Sequence, residues 1–153
     1  MNKTIQTFYQ AFADHDAEKM VSFYSDDIEF TDPAFGTLQG ERAKNMWRML
    51  IASQRGKTFD VVFTDVKENE SSGSAHWEAK YKFSQTGRQV HNKIDASFVI
   101  KDGKIIKHID RFSTRRWASQ AMGLKGWLLG GTSFFQKKLN AQTNKLLDKW
   151  EAK

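Results

Sequence analysis

Asp32 is the first side chain that stands where it could do acid–base chemistry. It precedes Pro33, the single proline of the chain, and a proline holds the residue before it in an extended conformation. We therefore expect Asp32 at the end of a strand over 28–32, where a carboxylate beside an apolar loop can serve as a general base. An Asp-Pro pair is also typical of a turn, and the sequence leaves both interpretations open.

A predicted β-hairpin carries the second group of candidates. Asp102-Gly103 stands between two β-like segments, and this dipeptide is typical of a two-residue hairpin loop. Such a loop sets Asp95 directly opposite Asp110 on one face of the hairpin. His108 shares that face, because side chains alternate along a strand.

Two facing carboxylates could exchange protons in an apolar pocket. The pKa of one acid is raised by the charge of the other, and a neighbouring imidazole can orient either group. The alternative is a solvated polar face, on which Lys93 and His108 neutralise Asp95 and Asp110. The residues alone leave these two interpretations open.

Hydrophobic spacing predicts the elements that must position these residues. Apolar side chains recur at helical spacing over 3–14, over a short second helix that follows Asp16, and over a third helix at about 41–54. Four β-like segments come next, at 58–67, 74–84, 89–100 and 104–114. Helices followed by a meander of strands predict an α+β fold, in which a long twisted sheet encloses a pocket against the helices.

Six motifs along the chain also resemble a known family. They are Phe8-Tyr9, Ala11-Phe12, Asp16, FYSDDIEFTDPAFG, GERAKNMWRML and DGKIIKHIDRFSTRRWASQAMG. Together they are similar to the ketosteroid-isomerase and SnoaL-like superfamily, which has the fold of nuclear transport factor 2. The resemblance covers about residues 3–123 and implies a cone-shaped, curved mixed β-sheet wrapped around the N-terminal helices, with an extra C-terminal helix.

The ketosteroid isomerases of this superfamily imply roles for two of the acids. Asp32 matches their proton-abstracting aspartate, and Asp95 matches the second acid, which stays protonated to hold the enolate oxygen. The tyrosine that partners this acid falls at Phe8, which has no hydroxyl. The resemblance therefore does not favour steroid isomerisation.

Two other branches of the superfamily imply a role for Asp110. Limonene-epoxide-hydrolase-like members match at Lys93, Asp95 and Asp110, although the lysine replaces their arginine and lacks its planar fork. SnoaL-like cyclases place an acid/base aspartate where Asp110 stands, with His108 beside it. This local match is the closest, so Asp110 is the first candidate for the catalytic group.

We therefore expect an acid/base enzyme of the isomerase, cyclase or epoxide-hydrolase type, acting on a compact hydrophobic substrate in an internal pocket. The catalytic candidates are Asp110, His108, Asp95 and Asp32, and the candidates for substrate contact are Tyr24, Trp47, Phe112, Phe35 and Phe8. The alternative is a non-catalytic ligand-binding or protein-interaction domain with the same cavity. Neither a metal nor an organic cofactor is expected.

Composition narrows the partners and the compartment. The chain of 153 residues has no cysteine and no apolar run long enough to cross a bilayer, so we expect a cytoplasmic protein without disulfides or thiolate chemistry. Its net charge is +6, and no basic stripe interleaved with aromatic residues predicts nucleic-acid binding. His76 and His91 lie on different predicted strands and do not predict a metal site.

The C-terminal part differs from the rest of the chain. We expect a cone domain over 1–123 and an amphipathic helical extension over 124–153, whose helix Thr132 or Ser133 can cap. Its apolar side could dock on protein or on an anionic membrane surface, and docking on protein is favoured. A homodimer is expected, and it would be supported by outward-facing apolar residues on the hairpin, namely Ile94, Ala96, Phe98 and Ile109.

Overall fold

The computed structural model describes residues 3–153. The helices are α1 (Thr4–Ala13), α2 (Ala17–Val21), α3 (Glu41–Ser53), α4 (Thr114–Met122), α5 (Leu124–Leu129) and α6 (Ser133–Glu151). The strands are β1 (Tyr24–Asp32), β2 (Gly36–Gln39), β3 (Phe59–Glu68), β4 (Ser72–Lys82), β5 (Gln89–Lys101) and β6 (Lys104–Arg111).

The strands form one mixed sheet in the order β2-β1-β6-β5-β4-β3. Neighbouring strands are antiparallel, except that β1 runs parallel to β6. The sheet is curved and unclosed, and α1 and α3 pack against its inner face. The predicted α+β fold with a curved mixed sheet around the N-terminal helices is confirmed. Strand β2 is an addition, since the sequence predicted only a loop there.

The hairpin of β5 and β6 has a different register from the predicted one. Lys101 pairs with Lys104 and Ile100 with Ile105, as the two-residue turn predicts, but Val99 then pairs with Lys107. Ile106 is therefore the extra residue of a β-bulge. One extra residue reverses the facing of every later side chain relative to the partner strand.

The bulge makes the predicted pairing of Asp95 with Asp110 wrong. Asp110 pairs with Ala96, and Asp95 pairs with Arg111. Asp110 faces inward and is 3 % exposed, whereas the Asp95 side chain lies on the outer face and is 82 % exposed.

The same reversal removes most of the predicted dimer surface. Ile94, Ala96 and Phe98 belong to the buried core instead of the outer face, because they share the inward face with Asp110. The homodimer itself stays a prediction.

Aromatic side chains fill the space between α1, α3 and the sheet. Phe12 packs edge-to-face on both Trp47 and Trp77, with ring centroids 5.2 and 5.1 Å apart. Tyr9 lies in the same core, stacked on Phe63. Edge-to-face and stacked pairs stabilise a core beyond their buried area.

The C-terminal helix α6 packs on the body of its own chain. The Thr132 side chain caps it by accepting a hydrogen bond from the Phe135 backbone N–H. Leu147 is fully buried, and Arg42 of α3 pairs with Asp148 at 2.8 Å. Among residues 3–153, no helix is long and apolar enough to cross a membrane.

Candidate functional site

A cavity of about 370 Å³ lies between α3, the inner face of the sheet and α6. Its wall is mostly apolar, and two carboxylates, Asp32 and Asp110, belong to it. Three of the residues predicted to contact the substrate line it as well: Trp47, Phe112 and Phe35. The other two, Tyr24 and Phe8, lie in the buried core and do not line it.

Asp110 is held by two donors on the cavity wall. Its Oδ1 atom lies 2.8 Å from Nε2 of His108 and accepts a longer hydrogen bond, 3.4 Å, from Nε1 of Trp77. His108 and Asp110 are two residues apart on β6, so both face inward. The second carboxylate oxygen, Oδ2, has no hydrogen-bond partner among residues 3–153.

A hydrogen-bond chain continues from the other ring nitrogen of His108. Nδ1 of His108 lies 2.7 Å from the hydroxyl of Tyr24, and Nε1 of Trp47 donates to that hydroxyl at 2.8 Å. Burial raises the pKa of Tyr24 well above its usual value, so the hydroxyl keeps its proton.

These partners favour one state of the imidazole. If the Tyr24 proton points to Nδ1 of His108, the hydroxyl uses both its donor and its acceptor capacity, because its oxygen already accepts from Trp47. In that arrangement Nδ1 accepts from Tyr24, and the N–H of Nε2 is donated to Asp110. Both ring nitrogens of His108 and the Tyr24 hydroxyl therefore have partners, as buried polar groups require.

Asp32 is both the start of a turn and a cavity carboxylate. It ends β1, and its Oδ1 accepts a hydrogen bond of 2.7 Å from the backbone N–H of Phe35. Burial raises the pKa of Asp32 to about 7, and the nearby charge of Asp110 adds to the rise while the backbone N–H of Phe35 opposes it. The sequence offered a turn or a carboxylate beside an apolar loop for the Asp-Pro pair, and Asp32 has both features.

Helix α6 holds the loop that follows Asp32. Asn140 donates to the carbonyls of Pro33 and Ala34 at 2.7 and 2.9 Å. Thr143 donates to Ala34 at 2.8 Å, and Asn144 donates to the next carbonyl, that of Phe35, at 2.9 Å.

These α6 residues were missed by the sequence reasoning. Their only signal is a polar stripe at positions 140, 143 and 144, which is the spacing of one helix face. The stripe lies beside the apolar residues Leu139 and Leu146 of the same helix, and Thr143 lines the cavity with them. The sequence does not say what such a stripe contacts.

The predicted candidate Asp95 belongs to a different cluster, on the outer face of the sheet. It lies 2.9 Å from Nδ1 of His76, whose Nε2 lies 2.8 Å from Glu78. Hydrogen bonds to Asp95 and then to Glu78 raise the pKa of His76. His91 joins the cluster through Glu78. No group of three or more potential ligands in the described chain could hold a metal ion.

Comparison with known proteins supplies the family. The model of the SnoaL-like domain matches residues 5–108, about two thirds of the chain. The chain belongs to the SnoaL-like family. Among curated proteins, none matches the chain.

Solved structures share the fold of this SnoaL-like chain at low sequence identity. TerC, co-crystallised with polyporic acid, has a TM-score of 0.65 and 18 % identity, over 77 % of this chain and 95 % of its own. A protein with a ketosteroid isomerase-like fold from Catenulispora acidiphila DSM 44928, in complex with trimethylamine, has a TM-score of 0.63 and 11 % identity, over 78 % and 92 %.

An LEH-like epoxide hydrolase from M. tuberculosis shares the fold too. Its TM-score is 0.59 at 17 % identity, and the match covers 84 % of this chain and 89 % of the hydrolase. At such identities these similarities establish the fold alone, since one fold carries many activities.

Substituting Tyr9 and Tyr24 tests the hydrogen-bond chain against a matched control. The Tyr9 hydroxyl is buried without a hydrogen-bond partner among residues 3–153, so Tyr9→Phe is expected to raise the free energy of unfolding by about 1 kcal/mol. Tyr24→Phe leaves groups of Trp47 and His108 unpaired and is expected to lower it by about 2 kcal/mol. Urea denaturation measures both changes. Equal losses of unfolding free energy in the two variants would contradict the proposed hydrogen-bond chain.

Asp32 makes stability depend on pH. Its pKa is about 7 in the folded protein against a usual value of 3.8, so folding is favoured while Asp32 is protonated and this advantage is lost as the pH rises from about 4 to 7. Asp32→Asn keeps an oxygen acceptor for Phe35 but cannot ionise. Relative to the native chain, its free energy of unfolding should therefore increase by up to about 4 kcal/mol between pH 4 and pH 8.

Denaturation of both proteins at a series of pH values checks this difference, and the comparison cancels the other carboxylates. A difference that does not change with pH would mean that Asp32 titrates normally.

Proposed function

We propose that the chain is an acid–base enzyme for a compact apolar molecule with a carbonyl or epoxide oxygen. The observation that carries the proposal is the pair of carboxylates on one apolar cavity, since their surroundings differ. Asp110 is held by His108 and Trp77, whereas burial raises the pKa of Asp32 to about 7. Two acids in unlike surroundings are the usual arrangement for a base and an acid in one site.

Asp110 is the proposed base. His108 donates from Nε2 to Oδ1 and fixes the plane of the carboxylate, which leaves Oδ2 free to accept a proton from the substrate. The chain through Tyr24 and Trp47 keeps the imidazole in the required tautomer. His108 therefore acts through Asp110 and is a positioning residue.

Asp32 is the proposed acid. With a pKa of about 7, a large share of the molecules carry the Asp32 proton at neutral pH, so it can be donated to an oxygen on which negative charge develops. The backbone N–H of Phe35 holds the carboxyl group in place.

With a carbonyl substrate, Asp110 takes a proton from the carbon next to the carbonyl group while Asp32 protonates the oxygen. The resulting enol either takes the proton of Asp110 at another carbon, which is isomerisation, or attacks a second carbonyl within the molecule, whose oxygen takes that proton, which is cyclisation. In both, the enol O–H proton returns to Asp32. With an epoxide, Asp110 instead takes a proton from an attacking water while Asp32 protonates the ring oxygen. Isomerisation and cyclisation restore both acids. Epoxide opening leaves Asp110 protonated and Asp32 ionised, so a proton must pass from Asp110 to Asp32 through solvent before the next turnover.

The size and wall of the cavity support the proposed substrate class. A volume of about 370 Å³ lies at the lower end of the range of ligand pockets, and the aromatic residues Trp47, Phe35 and Phe112 favour a compact ring system. TerC with polyporic acid and the epoxide hydrolase from M. tuberculosis support a small ligand with a reactive oxygen. Phe8, which lacks a hydroxyl, does not favour steroid isomerisation. Lys93, which replaces an arginine, does not favour epoxide hydrolysis.

The role of Asp110 as the base can be tested with a thermal-shift screen of hydrophobic carbonyl and epoxide compounds. Turnover assays of the hits follow. Asp110→Asn should bind the hits but lose at least about 100-fold in kcat, the usual contribution of a general base. Asp95→Asn is the matched control, since Asp95 lies on the outer face, and should keep the native rate. Binding without turnover of any hit would instead favour the non-catalytic ligand-binding domain.

The proposed role of Asp32 as the acid predicts how kcat/KM depends on pH for any substrate found in this way. Because Asp32 must carry its proton, kcat/KM should fall about tenfold per pH unit above pH 7. Asp32→Asn should lower kcat/KM and abolish this alkaline decline. A native profile that stays flat from pH 6 to pH 9 would remove Asp32 from the mechanism.

A further inference from the structure

The segment that borders the cavity on the C-terminal side is strongly basic. From residue 111 to residue 147 the chain has no Asp or Glu. It has basic residues at seven positions in that stretch: Arg111, Arg115, Arg116, Lys125, Lys137, Lys138 and Lys145. The segment contains α4, α5 and most of α6, so its positive charge lies on neighbouring elements.

Helix α5 packs one side on α4 and exposes the other. Gly126 touches Ala118 so closely that any side chain would overlap its carbonyl group. On the opposite side, Leu124, Trp127 and Leu128 are 74 %, 50 % and 57 % exposed. Their spacing of three and four residues puts them on one helix face.

The exposed apolar surface continues past the end of α5. Leu129 is 44 % exposed and Phe134, in the first turn of α6, is 62 % exposed. The α5 patch is defined here by five side chains: Leu124, Trp127, Leu128, Leu129 and Phe134. Large exposed apolar side chains that follow one another so closely mark a contact surface.

Cations lie directly beside the aromatic members of the α5 patch. The guanidinium of Arg115 is 5.3 Å from the ring centroid of Trp127, and the ammonium of Lys138 is 5.0 Å from that of Phe134. Aromatic and leucine side chains rimmed by Lys and Arg are typical of elements that lie in the surface of an anionic bilayer. Protein interfaces are instead depleted in lysine.

We propose that the α5 patch inserts into the surface of an anionic membrane, with the basic residues of α4 and α6 against the lipid headgroups. With only six residues, α5 can lie in the interface but cannot span the membrane. Charge complementarity is what selects lipid over a protein partner, because the whole segment lacks an acidic residue. The proposal is independent of any turnover in the cavity.

The α5 patch adjoins the cavity. Met122 precedes α5, and Phe135 and Lys138 follow it at the start of α6, and all three line the cavity. A membrane bound at the patch would therefore face this side of the cavity wall. An apolar ligand dissolved in the membrane could then enter without crossing bulk water.

Vesicle flotation of the full chain tests the proposal. We expect the protein to float with phosphatidylcholine vesicles that contain phosphatidylserine, to float weakly with phosphatidylcholine alone, and to be released by salt. Replacing Leu124→Ser together with Leu128→Ser should reduce flotation at least about tenfold. Val62→Ser is the matched control, since Val62 is 57 % exposed on the edge strand β3, and should change nothing.

The charge is tested in the same assay. Lys125→Glu together with Lys137→Glu should weaken binding to anionic vesicles at least about tenfold, and Lys57→Glu, another exposed lysine, should have little effect. No flotation with anionic vesicles, or equal flotation of the native chain and the leucine variant, would overturn the proposal. So would self-association that the leucine variant abolishes without any vesicle binding, which would identify a second copy as the occupant.

Discussion

The position of Asp110 depends on one extra residue in β6. Between the hairpin turn and Lys107, β6 carries Ile106 without a partner in β5, and from there on the inward and outward sides are exchanged relative to β5. The bulge brings His108 and Asp110 to the inner face and leaves Asp95 outside. The cavity carboxylate and the hydrogen bonds that hold it all depend on this local departure from regular pairing.

The hydrogen-bond chain from Trp47 to Asp110 joins the core to the cavity. His108 is fully buried and packs among aromatic rings, with the ring centroid of Phe98 4.3 Å away. An imidazole in such surroundings is tolerated only when both nitrogens are paired. The aromatic core and the polar site therefore stabilise each other, since each partner that orients Asp110 is also a core residue.

Much of this architecture could be predicted from the sequence because its signals are local. Helical spacing located α1 and α3, the Asp102-Gly103 pair located the hairpin turn, and Pro33 placed Asp32 at a strand end. The bulge could not be predicted, since Ile105 and Ile106 are both apolar β-branched residues and suit either face of a strand. The contacts of α6 with the loop after Asp32 join residues more than one hundred positions apart, for which a single sequence has no local signal.

The contacts of α6 with the loop after Asp32 couple the cavity wall to the position of the Asp32 carboxyl group. The same helix supplies Phe135, Leu139 and Leu146 to the cavity wall and, through Asn140 and its neighbours, holds the carbonyls of the turn in which Asp32 sits. If this helix moves away to admit a molecule, the turn that holds the carboxyl group of Asp32 loses these hydrogen bonds at the same time. Under the proposed mechanism, proton transfer would then be confined to the closed arrangement, in which α6 covers the cavity and Asp32 is held in place.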